Sequence, residues 1–140
     1  MMTADSSVWI DFFRGRDTPQ VQSLSMVLRD NDAQIIMLDL VLMEVLRGFI
    51  HDHEWRLARE AFADLPVATA GGEAVALHAA AIYRQLRQRG ITVRSAIDLL
   101  VGAWCIEHEV PLLHADRDFD GMAAHHGLPV FPSLISGAAP

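Results

Sequence analysis

The chain has 140 residues, half of them apolar, with 18 acidic against 11 basic side chains and a formal charge of −7. That length supports one sizeable core and excludes a comfortable division in two, so one domain over residues 1–135 with a flexible tail at 136–140 is expected. No apolar run approaches the roughly 20 residues of a membrane span, and Asp5 and Asp11 interrupt any signal-peptide core, so a cytoplasmic protein is expected.

Met2 to Asp5 reads as a very short first strand. Ser7 is the expected cap of a helix whose apolar face carries Val8, Trp9, Phe12 and Phe13 and which ends near Gly15. Pro19 opens a second helix reaching about Asn31. Ile35 to Leu38 has the compact apolar character of a buried strand, and Asp39 is placed to cap the helix that carries Glu44. Glu54 to Leu65 forms another helix, and Pro66 to Thr69 is at best a short extended segment. A long helix from about Gly72 to Arg89 stops at Gly90. Ser95 caps a helix running to about His108, Val110 to His114 is a strand, and Phe119 to His126 is a helix. Leu128 to Phe131 closes the series, with Pro129 favouring the sheet edge.

Strands that alternate with helices imply a mainly parallel sheet with helices on both faces, a three-layer α/β/α sandwich. Ligands in such folds gather outside the carboxyl ends of the strands. Asp5 closes the first strand and Asp116 follows the strand Val110 to His114, where each, taken alone, reads first as a turn residue that ends a strand. Glu44 stands inside Leu40–Leu46, where a buried charge needs a cation or an exit to solvent; pairing with Arg47 one turn later is the alternative. Asp98 fits a capping box opened by Ser95 and favours the helix dipole, a role compatible with holding a metal through its second oxygen.

If these four acids converge, two carboxylates about 5 Å apart at an effective dielectric near 20 repel by roughly 3 kcal/mol, so a cation or raised pKa values must follow. An oxygen-only ligand set selects Mg²⁺ or Mn²⁺ over zinc. The net acidity would otherwise argue against a nucleic-acid partner, but part of it then belongs to the metal site. All eleven basic residues are arginine. A receiver or aspartyl-phosphate phosphatase also clusters aspartates around Mg²⁺, yet both depend on a lysine that is missing here. The segment Asp116 to Gly121 imitates a calcium loop but places Gly127 where the closing glutamate belongs. His51 with His53, and the pair His125 and His126, lack metal-site spacing and read as loop or surface residues. Cys105, the only cysteine, lies in an apolar segment and reads as core.

Four strings occur in order: Asp5-Ser6-Ser7; Glu44 with Gly48 one turn on; Arg89-Gly90-Ile91-Thr92-Val93 leading to Ile97-Asp98-Leu99-Leu100-Val101; and Leu112-Leu113-His114-Ala115-Asp116-Arg117-Asp118-Phe119. Together they resemble a PIN domain, most closely the VapC toxins of type II toxin–antitoxin pairs, from the first strand to about Phe131. Two positions depart from the family pattern: Ala115 stands where many relatives carry a hydroxyl, and Ile97 where a small residue is common. The resemblance implies that Asp5, Glu44, Asp98 and Asp116 are the metal-binding and catalytic acids, that Asp118 is an auxiliary acid and that Ser7 supports Asp5. It implies hydrolysis of RNA phosphodiesters by metal-activated water with Mg²⁺ or Mn²⁺, a VapB-like antitoxin as partner, and a homodimer. A PIN-like protein that binds RNA or a partner without cutting is the alternative. Trp9, Phe12, Phe13, Val45 and Phe49 are candidates for an antitoxin groove or for core. Arg84, Arg87, Arg89 and Arg94 are candidates for guiding RNA or for a solvated helix face.

Overall fold

The computed structural model describes residues 1–132; the expected boundary at residue 135 and the tail at 136–140 lie outside them. The strands are two residues long apiece: β1 (Thr3–Ala4), β2 (Met37–Leu38), β3 (Val67–Ala68) and β4 (Leu112–Leu113). β1 pairs parallel with β4 and β2 parallel with β3. Parallel bridges from Met2 to Ile35 and from Leu112 to Val130 join these pairs into one run, β3-β2-β1-β4, with Val130 beyond β4. The Thr3 hydroxyl donates to the Ile36 carbonyl at 2.6 Å and reinforces the seam between the pairs. Pro129 lies at the outer rim, where its carbonyl accepts from Leu112 N–H and its missing donor costs nothing.

Each parallel neighbour requires a crossover. Helices α1 (Ser6–Phe13) and α2 (Pro19–Arg29) lead from β1 to β2; α3 (Asp39–Leu46) and α4 (Asp52–Phe62) lead to β3; α5 (Glu73–Gln88) and α6 (Ala96–His108) lead to β4; a 3-10 turn at Arg117–Phe119 precedes α7 (Asp120–His126). The chain steps one way from β1 to β3, then jumps back past β1 to β4. Right-handed crossovers therefore put α1–α4 on one face and α5–α7 on the other. The direction reverses between β1 and β4, the crevice where open parallel sheets bind ligands.

Two helix starts differ from their sequence reading. Asp5, not Ser7, caps α1: its carboxylate accepts from Ser7 N–H at 3.2 Å, and Ser7 lies within the first turn. Asp39 is the first residue of α3 and not its cap; its Oδ1 accepts from Leu40 N–H and, at 3.0 Å, from Ala70 N–H across the fold. Thr18 and Ser95 cap α2 and α6 through Val21 N–H and Asp98 N–H. Gly90, at φ +80°, ends the α5 segment in a conformation that a side chain would strain.

The core is one cluster that runs from Met2 to Leu128. α6 lies deepest, with Asp98, Leu99 and Val101 to Cys105 all buried, which explains its lack of amphipathic patterning. Burial pushes the Cys105 thiol up to about 12, as a core cysteine requires. Gly102 lets α6 close onto α7, because a Cβ there would run into the Met122 sulfur. Alanine gains about 1 kcal/mol of helix propensity over glycine, while overpacking a filled core costs about 1–3 kcal/mol. Met122 is fully buried and has little room to yield, so the packing loss wins. Gly102→Ala should lower the urea midpoint, and a second substitution, Met122→Ala, should not add its full single-variant cost to it; a raised midpoint in Gly102→Ala would contradict this packing.

Candidate metal centre

Asp5 leaves β1 at the switch crevice and is 2 % exposed. Its Oδ2 accepts from Ser7 Oγ at 2.7 Å, and Ser7 Oγ accepts in turn from Ala115 N–H at 3.3 Å. One hydroxyl thus ties the exits of β1 and β4 together. The Ser7 hydroxyl, the support for Asp5 that the resemblance implied, bonds that carboxylate, and Ala115 joins the same network through its backbone N–H. Asp116 caps the 3-10 turn, with its Oδ1 accepting from Asp118 N–H at 2.9 Å. Asp118 Oδ2 accepts from Arg94 N–H at 3.2 Å, which draws the loop before α6 onto the site.

α6 delivers Asp98, 6 % exposed, from its first turn. It is the backbone N–H of Asp98 that meets the Ser95 cap, so helix and site use different parts of the same residue. α3 delivers Glu44, half-buried. Oxygens of Asp5, Glu44 and Asp98 lie within 4.8 Å of one another, as do oxygens of Asp98, Asp116 and Asp118, so Asp98 belongs to both triads. All four expected acids and the auxiliary Asp118 are therefore brought together. The histidine pairs are not: among the described residues no histidine joins a group with metal-ligating geometry.

The electrostatics follow from this crowding. Burial is the largest cause of a raised pKa at Asp98, pushed up to about 7, with further contributions from Asp5, Asp116, Glu44 and Asp118. Burial also raises Asp5 against the lowering effect of Ser7 and the Ser6 backbone. Glu44 is raised by burial and by Asp5, while Ser6 and Arg47 oppose the shift. Ser6 was not singled out by sequence reasoning; the signal was the second hydroxyl in Asp5-Ser6-Ser7. Asp5 Oδ1 and Glu44 Oε1 are buried without a protein partner. Leaving such an acceptor bare costs about 1–3 kcal/mol, and more when it is charged. An all-oxygen donor set with raised pKa values and two bare oxygens fits a hard divalent cation, which would satisfy the oxygens and lower the pKa values together.

Comparison with known proteins agrees with this geometry. A family model described as "PIN domain" matches residues 2–125. The chain is 32 % identical over 123 residues to VapC ribonuclease Mb1587 of Mycobacterium bovis, covering 88 % of this chain and 92 % of that protein. It shows the same identity and coverage against ribonuclease VapC11 of Mycobacterium tuberculosis. Among solved structures, DNA-bound VapBC from Salmonella typhimurium superposes with a TM-score of 0.69 at 14 % identity, over 94 % of this chain and 98 % of that one. The family match spans most of the chain and includes every acid of the cluster, so this chain belongs to the PIN domain family and, within it, stands with the VapC proteins.

Proposed function

We propose that the chain is the ribonuclease toxin of a type II toxin–antitoxin pair and that Asp5, Glu44, Asp98 and Asp116, with Asp118 as auxiliary, form its catalytic metal site. The observation that carries this reading is the doubled triad on Asp98 at the switch crevice, with two buried oxygens left bare. The likeness to VapC ribonucleases supports RNA as the substrate.

Asp5, Glu44 and Asp98 would hold one Mg²⁺ or Mn²⁺, and Asp98, Asp116 and Asp118 frame a second position. Such a cation supplies Lewis acidity and neutralises charge that builds on a phosphate in flight. The chain's own groups do the rest. The Asp5 to Ser7 bond fixes one carboxylate against rotation, and the Ser7 bond with Ala115 sets its distance from Asp116. Asp98, rooted in a buried helix, keeps both triads in register. A carboxylate of the cluster not committed to metal takes the proton released by the attacking water.

A VapB-like antitoxin is the proposed partner, supported by the toxin–antitoxin composition of the structural neighbour. Ile10, Phe13, Val45, Gly48 and Phe49, with Arg14 and Glu54, line a cleft of about 230 Å³ that suits an apolar segment. Phe13 and Phe49 meet there edge to face at 5.6 Å. Trp9 is buried against Phe62, so of the aromatic candidates it serves the core. A homodimer is part of the same reading, and no helix among the described residues is long and apolar enough to cross a membrane.

Purified protein free of antitoxin should cleave cellular RNA with Mg²⁺ or Mn²⁺ and stop on chelation. Asp5→Ala, Glu44→Ala and Asp98→Ala should each lose at least about a hundredfold in kcat, as losses of electrostatic stabilisation do. Folded, metal-replete protein that leaves all RNA intact would favour a binding-only PIN protein.

The raised pKa of Asp98 also makes stability depend on pH. The carboxyl ionises near 3.8 in an unfolded chain and near 7 in the metal-free fold. Its folded form therefore holds the proton more tightly, a stabilisation complete below about pH 4 and lost as pH rises through about 7. In chelator, Asp98→Asn should match the unsubstituted chain in Tm only near pH 4 and below, and exceed it by a margin that widens up to about pH 7 and persists at pH 8. A Tm difference that does not change with pH would contradict the crowding, and added Mg²⁺ should raise Tm at pH 8 only where the carboxylate is intact.

A further inference from the structure

The four arginines near the end of α5 do not act as one group. Arg89 lines a separate cleft of about 300 Å³ with Gln85, Gln88, His125 and His126. The other three are linked to the acids through the end of α5 and the loop that follows it. Arg94 N–H bonds Asp118, whose carboxylate shares a triad with Asp98. Two residues back, Thr92 Oγ1 accepts from Arg87 Nη1 at 3.1 Å, which pins that guanidinium to the loop. Arg84 lies one turn behind Arg87 on the solvent face of α5, and Tyr83, four residues before Arg87, is its neighbour on the helix surface.

The side chains on this path are exposed, Tyr83 to 38 %. Among the described residues the ion pairs are Arg16 with Asp11 and His78 with Glu107, so Arg84, Arg87 and Arg94 have no acidic partner. Glu73, at the far end, is the only acid on α5. In a chain of charge −7, three unpaired guanidiniums that lead away from an acidic cluster form a local field opposite in sign to the rest. A Tyr ring beside them adds a flat apolar face.

We infer that Arg94, Arg87 and Arg84, with Tyr83, form a binding track for single-stranded RNA that carries the strand flanking the scissile phosphate out along α5. The inference rests on the ribonuclease reading for the location of the scissile phosphate, and it adds where the substrate lies. The guanidiniums meet successive backbone phosphates, and Tyr83 stacks a base without reading its identity. The bond from Arg87 to Thr92 pre-orders the middle cation, while Arg94 holds the strand beside Asp118 without neutralising it, because only its backbone is engaged there.

The test measures fluorescence anisotropy of a labelled, mixed-sequence, single-stranded RNA 20-mer on the Asp98→Asn background in Mg²⁺, across a salt series. Substitutions Arg84→Gln, Arg87→Gln and Arg94→Gln should each weaken binding and flatten the slope of log affinity against log salt by about 0.7 for each phosphate that is no longer neutralised. Tyr83→Ala should weaken binding at least about fivefold with the slope unchanged, since stacking releases no counterions. Arg87→Lys should recover most of the slope that Arg87→Gln forfeits, which a merely structural bond to Thr92 would not do. Arg89→Gln and Arg29→Gln, off the track, should leave both readouts unchanged. Equal affinity and slope in all track variants would overturn the inference, as would equal losses from Arg89→Gln. In the protein with its acids intact, RNA cleavage with KM and salt slope indifferent to the track substitutions would remove the track and keep the ribonuclease; track-dependent binding with no cleavage by that protein would do the reverse.

Discussion

Burial of carboxylates against one another is the constraint around which this molecule is arranged. Asp98 is the common member of two acidic triads, and burial together with four neighbouring acids pushes its pKa up to about 7. A chain free to relax would separate these groups. It is prevented by the parallel sheet, which ends β1 and β4 side by side, by Ser7, which ties those ends through one hydroxyl, and by α6, which is too deeply packed to retreat. Strands of two residues contribute little hydrogen bonding, so helix packing and one shared core hold the acids in place. A cation held by these acids would relieve the crowding and so couple metal binding to stability.

Much of the fold was legible in the sequence because its signals are local. Turn chemistry at Pro19, Gly90 and Ser95 marked helix limits that the structure reproduces to within a residue or two. The alternation of short apolar runs with helical segments pointed to a parallel sheet, and the bridge pattern bears this out. Errors arose where a side chain serves a distant partner. Asp39 looks like a cap from its neighbours, yet its oxygen also reaches Ala70, 31 residues away. Ser7 looks like a cap because hydroxyls usually are, but Asp5 takes that role and Ser7 turns back to Asp5 and across to Ala115.

The acids themselves were individually ambiguous in sequence: two strand-end aspartates, a first-turn aspartate and a glutamate in an apolar run. Their convergence is a property of topology, visible only once β1 and β4 are neighbours and α3 and α6 bring Glu44 and Asp98 to the same crevice. Resemblance supplied the grouping before geometry did, and the bare oxygens of Asp5 and Glu44 give it a physical reason. What sequence left open, the sorting of four arginines, depended on a single side-chain bond from Arg87 to Thr92 and a backbone bond from Arg94 to Asp118. Neither leaves a mark in composition or periodicity.

The most direct measurement of the central claim is anomalous diffraction from crystals of this protein soaked in Mn²⁺. The account predicts an anomalous peak in the crevice, ligated by Asp98 and by at least one of Asp5, Glu44 and Asp116, with Asp5 still bonded to Ser7. Carboxylates that splay apart around an empty crevice at saturating Mn²⁺ would contradict it.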